Sequence, residues 1–220
     1  YPWPSTVRET VKLGKKLKAN DFSISAPEGV SSVKAKVIGV IENQAPTKSL
    51  EFDLPVEEGN VQITEGVSFL SLVERHQGTG SVTNGFVSGF GYTGSMAIAS
   101  SVAHDSHHMI VVGTDRKLMA AAANRLGEVG GGVTLWKDDA ERALVELPIA
   151  GLMSDSQAAE VANKAQAIIS AMIDCGCSLN NAYMQHTLLA LVVIPELRIS
   201  DLGLVDVNRF ELTEVISPES

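Results

Sequence analysis

Alternation of apolar and polar positions dominates the first third of the chain. Leu50, Phe52, Leu54 and Val56 alternate with Glu51, Asp53 and Pro55, the two-residue period of a half-buried strand. Pro55 within that run predicts an edge position, because proline cannot donate to a ladder. Residues 33–41 form a second apolar strand segment, and the turn between them, 43–48 with Pro46 inside it, predicts a hairpin. Residues 69–73 predict a third strand, ending at Glu74-Arg75-His76. Six glycines follow between 78 and 94, a composition that costs backbone entropy unless something bends sharply or comes close there. Small residues at 96–103 then lead into His104-Asp105-Ser106-His107-His108, and 109–112 reads as a buried strand.

Helical spacing enters in the second half. Leu118, Ala122, Leu126 and Val129 recur at helical intervals behind a Thr114-Asp115 cap, and Gly130 to Gly132 stops that helix. Residues 133–136 and 143–147 read as strands around a polar turn at Asp138-Asp139. Ser154 with Gln157 three residues on has the form of a capping box, and Val161, Ala165, Ile168 and Met172 make one face of the longest helix. Residues 188–194 fit either a buried strand or the end of a short helix. The tail alternates again through Val205, Val207, Phe210 and Leu212. Together these elements predict an α+β fold, with mixed or antiparallel sheets packed against two or more helices and a β-rich N-terminal third.

Composition narrows the classes. The 220 residues allow one large domain or two small ones, here read as one domain over 1–220 with a sub-boundary near 113–115. A net charge of −9 argues against nucleic acid or an anionic membrane surface as partner. The longest apolar run, 188–195, is far short of the roughly 20 residues that span a bilayer. No secretion signal is apparent, and the two cysteines are too few for a disulfide framework, which together imply a reduced cytoplasmic setting. The opening Tyr1-Pro2-Trp3-Pro4 lacks an initiator Met, as expected of a processed chain or of a domain taken from a longer protein.

The candidate chemistry is concentrated in the histidine cluster. His104 and His107 can face each other across a helical turn, with Asp105 as a third metal ligand or as the carboxylate that orients an imidazole. The same residues can supply a general base, or can simply bond the backbone of their own turn. Glu74-Arg75-His76 stands at a strand end before the glycine-rich loop, where binding groups gather, but a surface ion pair fits equally. His186 reads as a satisfied core or rim histidine, and Cys175-Gly176-Cys177 as buried, without the two-residue spacer of a redox or zinc pair. Gly89-Phe90-Gly91-Tyr92-Thr93-Gly94 matches G-x-G-x-x-G but lacks the surrounding strand–helix unit, so it reads as a close-packed turn. The H-x-H, H-E-x-x-H, G-x-S-x-G and Walker patterns are absent.

Longer blocks carry more. Ala99-Ser100-Ser101-Val102-Ala103-His104-Asp105-Ser106-His107 and Val111-Val112-Gly113-Thr114 strongly resemble the C-terminal domain of bacterial adenine deaminases. The resemblance extends to Val73-Glu74-Arg75-His76, Gly85-Phe86-Val87 with Gly89-Phe90-Gly91, Gly130-Gly131-Gly132, Leu147-Pro148-Ile149-Ala150-Gly151-Leu152-Met153-Ser154-Asp155, Val193-Ile194-Pro195-Glu196-Leu197 and Leu202-Gly203-Leu204-Val205-Asp206-Val207, in family order. The chain departs from the family pattern at His108, where the family usually carries Asn.

The resemblance implies hydrolysis of adenine to hypoxanthine and ammonia at a manganese or iron centre in an amidohydrolase barrel that precedes this domain. An eight-fold barrel alone takes about 250 residues, so it lies outside these 220, and the isolated chain is expected to be inactive. The partners implied are that barrel, adenine or a related purine, and a second copy in a homo-oligomer. On this reading Glu74, Arg75, His76, Ser101, His104, Asp105, Ser106 and His107 are candidates for a substrate-pocket wall, and His104, Asp105 and His107 are the metal candidates. A scaffolding or oligomerisation domain is the alternative from another class. A freestanding metal-binding hydrolase using residues 104–108 is a third.

Overall fold

The computed structural model describes residues 3–217; Tyr1, Pro2 and the last three residues lie outside them. β1 (Ser32–Val40) and β2 (Thr47–Glu57) form the predicted hairpin, in register from Val40 opposite Thr47 to Ser32 opposite Pro55. The outer side of β2 pairs with β3 (Asn60–Val61) near its end and bonds residues 195–196 at its start. The Pro55 carbonyl accepts from Gln62 N–H on that outer side at 2.8 Å, so the N–H that proline lacks would also have faced outward.

Seven further elements of the main layer follow in chain order: β4 (Val67–Val73), β5 (Val82–Ser88), β6 (Met96–Ser100), β7 (Met109–Gly113), α1 (Arg116–Val129), β8 (Gly132–Lys137) and β9 (Ala140–Glu146). The strands make one nine-stranded sheet in the order β3-β2-β1-β5-β4-β7-β6-β8-β9, in which only β1 and β5 run parallel. α2 (Ala158–Asp174), α3 (Ala182–Leu188), β10 (Leu197–Ser200), β11 (Gly203–Asp206) and β12 (Glu211–Thr213) complete the chain, the last three as a separate antiparallel sheet. The fold is α+β, as the sequence implies.

Both faces of the large sheet are covered, which explains why β4, β6 and β7 are buried at every position. Leu70, Leu72, Ile98, Ile110 and Val112 face α2 and the small sheet. Phe69, Val73, Ala97, Ala99, Met109 and Val111 face α1 and the segment holding Leu17 and Phe22. Each fully buried aliphatic or aromatic side chain of this kind contributes roughly 1.5–3 kcal/mol. Asp115 caps α1 by accepting from Lys117 N–H at 2.7 Å and Leu118 N–H at 3.2 Å, and Gly130 closes it in the left-handed conformation.

One expectation, the capping box before α2, needs correction, and three stretches left open by the sequence resolve. The glycine-rich stretch contains a strand, β5, because Gly85 sits inside a ladder whose neighbours supply the apolar contacts. α2 begins at Ala158 behind Gln157, which makes no side-chain cap; Ser154 instead accepts from Ser156 N–H in a local turn. The tail alternation spans two strands, β11 and β12, with Phe210 exposed in the turn between them. The ambiguous stretch 188–194 resolves as the end of α3 followed by turns.

Two segments far apart in the sequence are clasped at one corner. Thr47 Oγ1 donates to Leu197 O at 2.8 Å, and Thr47 N–H donates to Pro195 O at 2.9 Å. Arg198, fully buried, donates to the carbonyls of Ile194 and Leu188, each at 2.8 Å, and to that of Ala45. Elsewhere the packing stays open. Ile169 and Ile173 of α2 and Met184 of α3 are exposed and, with Met172, Leu179 and Tyr183, line an apolar groove of about 380 Å³. Among the described residues no helix is long and apolar enough to cross a membrane.

Candidate functional site

Strand pairing brings the two candidate segments together. β4 and β7 are antiparallel neighbours with Val73 opposite Met109, so the chain leaving β4 and the chain entering β7 emerge at the same end of the sheet. Glu74-Arg75-His76 therefore lies beside residues 101–108, although about 30 positions separate them in sequence.

Arg75 is the centre of this corner. Only 1% of it is exposed, and its Nε donates to the His107 carbonyl at 2.5 Å while Nη2 reaches those of Ala150 at 3.2 Å and Ser101 at 3.4 Å. Burial lowers its pKa to about 10, which leaves it cationic at neutral pH. Gly151 must lack a side chain here, since it has φ +70° and a Cβ would lie 2.8 Å from Arg75 Nη1. Ser101 is also fully buried. Its hydroxyl donates to Gly151 O at 2.6 Å and accepts from Gly132 N–H at 2.7 Å, bracing the same corner from within.

Glu74 turns away from Arg75 to organise the next loop. Its carboxylate accepts from the N–H groups of His76, Gln77 and Thr79 at 2.5, 2.8 and 3.0 Å, and from Thr79 Oγ1 at 3.0 Å. Burial pushes its pKa up, but these donors outweigh that and hold it at about 2 against an ordinary 4.5. The stabilisation is therefore complete above about pH 4.5 and lost as pH falls through about 2. Glu74→Gln is expected to be less stable than the parent at neutral pH and to converge on it toward pH 2. Thermal midpoints of both proteins across that window measure this, and parallel curves would remove Glu74 from the acid response.

The histidines occupy distinct places. His76 Nε2 donates to Ser106 O at 2.8 Å, and its ring lies 4.7 Å from that of His108. His108 Nε2 stands 3.7 Å from Asp201 Oδ2, and burial pushes its pKa down, opposed by Asp201. His104 and His107 have ring centroids 5.4 Å apart and planes inclined at 59°. His104 N–H donates to Thr187 O at 3.2 Å, and its buried Nδ1 has no hydrogen-bond partner among the described residues. Burial, with His104 and Arg75 alongside, lowers the pKa of His107. Asp105 and the Ser106 side chain are exposed on the turn. Among the described residues, no three His, Cys, Asp or Glu side chains are grouped so as to hold a metal ion. A cavity of about 350 Å³ opens beside this corner, walled by Glu74, His76, Thr79, Thr83, His108 and Asp201.

Nothing in the sequence singles out Ala150, Gly151 or Asp201 individually. The first two carry their role in backbone carbonyls, for which residue type gives no signal beyond a glycine beside a turn. His186 lies in the core as expected but is not satisfied there: neither ring nitrogen makes a good hydrogen bond among the described residues, and burial drives its pKa to about 3 despite the nearby Ile110 backbone. Cys175 and Cys177 are free and buried at the end of α2. The G-x-G-x-x-G segment links β5 to β6 as a turn, with Phe90 and Tyr92 stacked 5.2 Å apart.

Residues 44–211 match the family model for the adenine deaminase C-terminal domain, and the chain belongs to that family. Proteins named adenine deaminase share 69% identity over 216 residues in Roseobacter denitrificans and 68% over 221 in Ruegeria pomeroyi, covering 98% and 99% of this chain. A more distant one, from Moorella thermoacetica, is 42% identical over 219 residues. The chain spans only 36–37% of the length of these curated relatives.

Proposed function

We propose that this chain forms the C-terminal part of an adenine deaminase, and that its histidine corner closes the purine pocket of a preceding amidohydrolase barrel. The barrel would hold the manganese or iron and supply hydrolysis of adenine to hypoxanthine and ammonia. No described residues of this chain group as metal ligands, so its own contribution is to enclose the base and exclude water. The observation that carries this reading is the convergence of Glu74-Arg75-His76 with Ser101–His108 on one corner, fixed by the buried Arg75. Arg75, Glu74 and Ser101 set the backbone, and His76, His104, Asp105, Ser106 and His107 form the wall. The free thiols Cys175 and Cys177 fit a cytoplasmic enzyme of purine salvage.

His104 provides the test. In the full-length deaminase, His104→Ala is expected to lower kcat/KM for adenine at least tenfold with the thermal midpoint unchanged, and unaltered kinetics would sink the reading. One observation favours a second role: the exposed apolar groove of α2 and α3 fits a scaffolding or homo-oligomeric surface. That role alone predicts silent histidine variants, and Ile173→Glu would then change the assembly state by light scattering. A freestanding hydrolase on residues 104–108 would need a metal, and elemental analysis of the dialysed 220-residue chain tests it directly.

A further inference from the structure

The turn that carries the histidines is closed by one of them. His107 N–H donates to Ala103 O at 2.7 Å, and His107 Nδ1 accepts from Ala103 N–H at 3.2 Å. A ring nitrogen that accepts from a backbone N–H carries no proton, so the ring in this geometry is neutral with its hydrogen on Nε2. The backbone on either side is pinned as well: Arg75 holds the His107 carbonyl, and His76 holds that of Ser106. His107 Nε2 has no partner among the described residues and is not among the atoms shut away from solvent.

We infer that His107 presents a fixed Nε2–H donor that reads one unprotonated ring nitrogen of a neutral purine, making it a specificity residue of this wall. The inference rests on the proposal that the wall faces the purine. A single locked donor suits an sp² nitrogen lone pair and rejects the same position when it bears hydrogen, which leaves two donors opposed. Losing one neutral hydrogen bond of this kind corresponds to about a tenfold change in affinity.

Two variants separate the contact from the turn. Asn at this position can place its amide oxygen near Nδ1, keeping the bond from Ala103 while removing the outer donor. Gln can place its amide nitrogen near Nε2, keeping the outer donor. In the full-length deaminase, binding of adenine would be compared with that of its 1-deaza, 3-deaza and 7-deaza analogues. The parent protein is expected to bind one analogue about tenfold more weakly than the others. His107→Asn should lose that tenfold on adenine and nothing more on that analogue, and His107→Gln should recover part of it. A parent that treats all three analogues alike overturns the inference whether or not the variants fold. So does His107→Asn if it is silent or weakens every compound equally. If His104→Ala impairs the enzyme while His107→Asn is silent, only the His107 assignment fails; if both are silent, the pocket-wall reading fails with it.

Discussion

Arg75→Met is expected to cost the 220-residue chain about 3–5 kcal/mol of stability, read as a lower urea midpoint at unchanged slope. Methionine refills much of the buried volume but offers no donors. The carbonyls of His107, Ala150 and Ser101 then lose their shared guanidinium, and each stranded buried acceptor costs about 1–3 kcal/mol. Lysine should recover only part of the loss, since one ammonium lacks the planar fork that reaches carbonyls on three segments. A Met variant as stable as the parent would mean that water takes over all three carbonyls, and Arg75 would lose its place as organiser of the corner.

Gly132→Ala adds a single methyl and should cost at least as much. Gly132 pairs with Glu146 in the ladder at φ +144°, and a Cβ there would lie 2.0 Å from Val145 O. No side-chain rotation relieves a collision with a neighbouring strand's backbone, so the two strands must part. The expected loss exceeds about 4 kcal/mol, the range that marks a broken structural requirement. Gly59→Ala is the matched control: φ is +74° but nothing lies within 4 Å, so only the backbone preference of roughly 1 kcal/mol is lost. Similar midpoints for the two variants would show that the β8–β9 ladder tolerates displacement.

The contrast between these glycines bears on what a sequence discloses. Strands buried on one or both faces announce themselves: β1, β2, β4, β7, β8 and β9 follow from apolar runs or alternation, whereas the small residues of β6 carry no such signal. α1 follows from spacing and from a cap that the structure confirms at Asp115. β5 does not, because Gly85 and the glycines around it erase the local signal, and only its pairing with β4 and β1 makes it a strand. At the site, Glu74, Arg75 and the histidines stand out by residue type. Their adjacency does not, since it depends on Val73 meeting Met109 across a ladder. The residues at 74–76 would suit an ion pair, yet Arg75 binds carbonyls and Glu74 binds amides. Neither preference is legible before the backbone has folded around them.

The clasp between Thr47 and residues 195–198 has a consequence for how the chain is made. Its partners are 150 residues apart, and at about 5–20 residues per second the second half of the clasp reaches the ribosome exit roughly 8–30 s after the first. Throughout that interval the β1–β2 corner, the carbonyl of Ala45 included, has no Arg198 to hold it. The earliest strands of this domain are thus finished by almost the last to be translated, and a nascent chain stalled before residue 195 leaves its first hairpin open to whatever binds exposed β-structure in the cell.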